Sequence, residues 1–213
     1  MTESSLRPLN RVIQIYKDIL YSARWYILII IGLCFVWTVA GIIVALLAPG
    51  LVAYLVQYLE KTFQSILGNV ETLPRLDLAL ALLRQNAIAC LYGLFLGVIL
   101  GLLPVFSIAF NFFTLGFLFA PILAPSLFLG YQGSVTMFFL GIVPHGIFEL
   151  PALVLAAGFG LRLGWAWLLP QASGQRWLVF RSSLIDAFRM VPPIIILLII
   201  AAFVESFVTS RLI

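Results

Sequence analysis

Trp25 to Ala48 contains no Asp, Glu, Lys or Arg. A run of about 24 such residues is roughly 36 Å long as a helix, enough to cross a hydrocarbon core of ~30 Å with some tilt. In lipid every backbone N–H and C=O must be satisfied within the protein, so a chain made of such runs folds as helices or as a closed barrel. A run of this length selects helices. The rest of the chain agrees: 63% of residues are hydrophobic and 9% charged, where a soluble domain carries about a quarter charged. The expected fold is all-α, a polytopic transmembrane bundle of about five spans, with one discontinuous helix and an amphipathic outer segment.

Residues 1–24 read as an amphipathic leader. Ile13, Tyr16, Ile19 and Leu20 recur at helical spacing, and Arg7, Arg11, Lys17 and Arg24 outnumber Glu3 and Asp18, which places this end in the cytoplasm by the positive-inside rule. Residues 25–209 form the single transmembrane domain, with an outer amphipathic insert at 51–85 and a cytoplasmic loop at 170–190. In the insert, Val52, Leu55, Leu59, Phe63 and Ile66 share one helical face and Gln57, Glu60, Lys61 and Gln64 another, a pattern for a helix on the membrane surface or against a partner.

The later spans are expected at Asn86 to about Leu103, Ser107 to Gly130, Ser134 to Leu161, and Val191 to Thr209, where Pro192-Pro193 suits a first helical turn. Gly93, Gly97 and Gly101 lie at i, i+4 and i+8 in the second span, and Ala156, Gly160 and Gly164 repeat that spacing near the end of the fourth. Bare stripes of this kind let helices approach closely. They serve packing within the chain or between copies of it, so a homo-oligomer stays open. Asn86 and Asn111 are polar groups inside apolar spans, and Asn111 is expected to hydrogen-bond across helices.

The stretch richest in chemistry is Pro144-His145-Gly146-Ile147-Phe148-Glu149-Leu150-Pro151-Ala152. It holds the chain's only histidine, with a carboxylate four residues on, and Pro144 and Pro151 bracket the pair. The prolines predict a helix broken near Pro144. An imidazole and a carboxylate at i and i+4 share one face, and ionisable groups at this depth need a reason. Two readings stand: a clamp in which Glu149 and His145 hold the kink, and a proton or ligand site. Arg162, at the end of the same segment, reads either as an orientation charge or as a contact for anionic headgroups.

Several classes are excluded. The net charge of +4 is spread singly over connecting segments, so there is no nucleic-acid surface. Cys34 and Cys90 sit in separate spans without a Cys-x-x-Cys pair, and two candidate ligands do not make a zinc sphere, so no metal or other cofactor is expected. No Gly-x-Ser-x-Gly or His-Glu-x-x-His pattern occurs, and no catalytic residue is assigned. The partners that remain are the lipid bilayer of the cell membrane and other membrane proteins.

The Pro144 to Ala152 run, followed by Ala157-Gly158 and Leu161-Arg162-Leu163-Gly164, resembles the signature of the stage II sporulation protein M family. Asn86 and the Asn111 to Gly116 stretch are weaker matching features. The resemblance implies an integral membrane subunit that, in endospore formers, works with peptidoglycan-degrading partners during engulfment of the forespore.

Overall fold

The structure, a computed structural model, describes residues 3–51, 54, 58, 61, 74–128, 135–169 and 175–207. Side chains are described for these except at 3–9, 135–142 and 145. Five helices account for almost all of it: α1 (Glu3–Leu47), α2 (Arg75–Phe95), α3 (Leu102–Leu123), α4 (Val135–Leu168) and α5 (Arg176–Phe207), with 3-10 turns at Leu96–Val98 and Pro125–Leu127. All five are long and apolar enough to cross a membrane. The protein is a multi-pass membrane bundle.

Helix α1 is 45 residues long, roughly 68 Å, so the leader and the first span are one rod. Nothing in the described leader breaks it, and the helix ends at Leu47 because Ala48 precedes Pro49 and is pushed out of the helical region. Its buried positions, Ile19, Ala23, Ile30, Cys34 and Ala45, fall on one stripe, while Trp25, Phe35 and Leu47 point away from the protein toward lipid. Cys34 and Cys90 are both buried free thiols.

Several features differ from the sequence expectation: α3 runs Leu102–Leu123 rather than Ser107 to Gly130, and α4 continues to Leu168 rather than ending at Leu161. Helix α2 starts at Arg75 rather than Asn86, because Leu78, Ala79 and Leu82 are buried and carry the apolar face further back. Helix α5 starts at Arg176 rather than Val191, with Pro192 and Pro193 inside it, so the expected cytoplasmic loop at 170–190 is largely helix. The interruption expected near Pro144 is absent, since α4 runs unbroken with Pro144 and Pro151 inside it. A proline removes one N–H and frees one carbonyl, a local loss that a packed membrane helix tolerates. Of the amphipathic insert, residues 52, 53, 55–57, 59, 60 and 62–73 lie outside the described residues, as do 129–134, 170–174 and 208–213.

Between α2 and α3 the chain reverses in three residues. Leu100 and Gly101 both take positive φ, 56° and 72°, and Gly101 N–H donates to the Gly97 carbonyl at 2.7 Å. Gly101 therefore belongs to a turn and does not extend a helical stripe. Helix α4 is the centre: it touches the other four helices, and half of its membrane window is buried against 17–33% in the others. Ala152, Ala156, Phe159, Leu161 and Leu163 are all at most 1% exposed.

Candidate functional site

Glycine fixes how α4 meets α2. A Cβ on Gly97 would strike the backbone of Gly160, and one on Gly160 would strike the carbonyl of Gly93. A Cβ on Gly164 would meet the backbone of Gly97, Leu100 and Gly101, the α2–α3 turn. The two helices run parallel with their backbones touching, a packing that a side chain at these positions forbids. A second seam of the same kind joins α1 to α3, where Gly41 lies on the backbone of Phe113 and Phe117, and Gly116 on that of Thr38. Isolated glycines form this seam, so no periodic stripe announced it.

At one end of the bundle lies a polar clasp. The guanidinium of Arg162 on α4 donates from Nη1 to Asp186 Oδ2 on α5 at 3.0 Å and to Ser22 Oγ on α1 at 2.9 Å. The Arg162 and Asp186 side chains are 13% and 16% exposed, so the pair is mostly withdrawn from solvent and lipid. Arg189 approaches Asp186 Oδ1 at 3.7 Å from a half-exposed position. One turn back, Ser183 Oγ is buried without a hydrogen-bond partner among the described residues. The sequence offered an orientation charge or a headgroup contact for Arg162; the structure adds a clasp that ties three helices together. The signal for it was Asp186, the one acid among the arginines of its segment; Ser22 gave none.

Aromatic rings close the same end. Tyr26 meets Trp165 edge-on at 6.0 Å, and Phe180 lies between Trp167 at 4.7 Å and Trp177 at 5.8 Å. Arg24 sits 3.7 Å above the Tyr21 ring. Basic and amphipathic aromatic groups at one level mark a membrane interface.

Deeper in the bundle, Glu149 is half-buried on α4. Its carboxyl lies within electrostatic range of Cys90 on α2 and of Glu205 on α5. Glu205, on the neighbouring helix α5, is half-buried as well. Like charges brought together in a medium of low dielectric repel, and a proton or a cation between them removes the repulsion. About three turns before the glycine seam on each parallel helix, Gln85 and Glu149 reach similar depth, and Gln85 Oε1 is buried without a partner among the described residues. The side chain of His145 lies outside the described residues, so its expected pairing with Glu149 belongs there too.

The remaining sequence candidates separate. Gly146 is buried, Pro144 half-buried and Pro151 exposed on α4; Asn86 is half-buried on α2. Asn111 is exposed, and its Nδ2 donates at 2.8 Å to the Ser107 carbonyl of its own helix. Among the described residues it does not bond across helices, because α3 turns its Ile108, Phe112 and Gly116 face inward and leaves Asn111 outside.

A protein of Methanocaldococcus jannaschii described as uncharacterised is 26% identical over 138 residues, which is 63% of this chain and 58% of that protein. No solved structure matches. The family model described as stage II sporulation protein M matches residues 26–210, from the second residue of the first apolar run past the end of α5. The chain belongs to the stage II sporulation protein M family.

Proposed function

We propose that this chain is a non-catalytic membrane subunit that positions peptidoglycan-degrading enzymes of the cell envelope, with its N-terminus in the cytoplasm. The observation that carries this reading is the backbone-to-backbone packing of α4 on α2, reinforced by the Arg162 clasp to α1 and α5. A bundle fastened in this way is a rigid platform, suited to holding partners. Family membership supports the partner class. The orientation is supported by the arginines at the clasp end, where Arg162, Arg176, Arg181 and Arg189 gather with the leader, so that eight of the twelve basic residues would face the cytoplasm. Tagged protein isolated from native membranes tests the reading. It should retain a peptidoglycan-degrading enzyme in stoichiometric amount, and recovery free of any such enzyme from gently solubilised membranes argues against it.

A second reading rests on a different observation. Glu149 on α4 and Glu205 on α5 are two half-buried carboxyls on neighbouring, packed helices, groups of the kind a proton- or cation-coupled carrier uses. Protein reconstituted in liposomes separates the readings. A cation or proton flux abolished by Glu149→Gln favours transport, and no flux from folded protein leaves the platform reading standing.

A further inference from the structure

Helix α3 offers one polar group to lipid. Asn111 is exposed and stands nine residues into a helix of 22, about 14 Å from one end and 18 Å from the other. That is near the bilayer midplane. Its Nδ2 gives one hydrogen to Ser107; among the described residues nothing else meets the carboxamide, which has a second N–H and an acceptor oxygen to satisfy. Lipid offers neither a donor nor an acceptor there.

The residues around it suit a second helix. Ser107 and Thr114, both half-buried, lie one turn to either side of Asn111 and present small side chains that allow close approach. Phe110 and, further round, Phe106, 62% and 76% exposed, extend the stripe on one side with large apolar surface. The inward face, Ile108, Phe112 and Gly116, is already committed to the bundle.

We propose that this face of α3 is the contact between two copies of the chain in the membrane, with the two Asn111 carboxamides paired across a two-fold axis along the membrane normal. A carboxamide is its own complement, donor facing acceptor in both directions. A two-fold axis in that direction keeps both copies in the same membrane orientation and brings residue 111 opposite itself. A partner of different sequence would need a matching amide at the same depth, whereas a second copy has one by construction. The contact does not depend on the proposed function.

The test uses the full chain in lipid nanodiscs and in bilayers at a series of protein-to-lipid ratios. The wild type should show a dimer whose dissociation constant rises about tenfold in Asn111→Leu, while Asn111→Gln keeps most of the affinity. Asn111→Leu should melt no lower than the wild type, since it loses no contact inside the bundle. Phe110→Cys should form a disulfide between copies, and Ile108→Val, on the buried face, should leave association unchanged. A wild type that stays monomeric at every ratio overturns the proposal. So does an Asn111→Leu dimer of undiminished affinity, or a Phe110→Cys variant that forms no disulfide between copies at any ratio.

Discussion

Arg162 on α4 and Asp186 on α5 meet at 3.0 Å although 24 residues and a helix reversal separate them. The same nitrogen also reaches Ser22, so one guanidinium fixes the register of the first, fourth and fifth spans.

Removing the carboxylate leaves a mostly buried cation with one neutral partner. Asp186→Ala should destabilise the protein in detergent by about 1–3 kcal/mol, the range for hydrogen bonds to charged groups, with the partial exposure placing it toward the lower end. Thermal unfolding of Asp186→Ala, Arg162→Ala and the double variant checks this. The double variant should cost clearly less than the sum of the singles, and strict additivity would mean the two groups are uncoupled.

The glycines divide into two classes with opposite responses. Gly160→Ala and Gly116→Ala place a methyl into neighbouring backbone and should each cost more than about 2 kcal/mol or prevent folding, since backbone cannot swing aside as a side chain can. Gly32 has nothing within 4 Å of its missing Cβ, so Gly32→Ala should leave stability unchanged or raise it by up to about 1 kcal/mol. Melting temperatures of the three variants in one detergent give the comparison.

Leu100 is the one non-glycine residue with positive φ among the described residues, and it is 46% exposed. Little packing is lost when its side chain is removed, and the left-handed conformation is relieved. Leu100→Gly should therefore stabilise the protein by up to about 1 kcal/mol, whereas Gly101→Ala, with a φ of 72° and Leu161 against it, should destabilise it. Chemical denaturation of both variants reads the two signs.

The five spans were legible because uncharged runs of sufficient length have no other stable fate in lipid. Their ends were not. The Leu76 to Arg84 segment has polar residues that suggest a surface helix, yet its Leu78 and Leu82 pack on Ala202, and only tertiary contact shows that. Proline misled twice, at Pro144 and at Pro192-Pro193, because its cost in a packed helix is one lost hydrogen bond rather than a break. At the site, Arg162 stood out as a basic group after a small-residue stripe. Asp186 stood out only as the one acid among the arginines of its segment and Ser22 not at all, since pairing with Arg162 depends on the register between helices, which no local pattern encodes. Asn111 was legible as a polar group in a span, but which way it faces is set by the seam between Gly116 and Thr38.

The platform reading is tested most directly by photocrosslinking in living cells from probes at positions 54, 58 and 61, three exposed points in the segment after α1. It predicts a crosslink to a peptidoglycan-degrading enzyme from at least one of the three. Crosslinks to lipid alone from all three, in a protein that also conducts protons or cations in liposomes and loses that flux in Glu149→Gln, would contradict it.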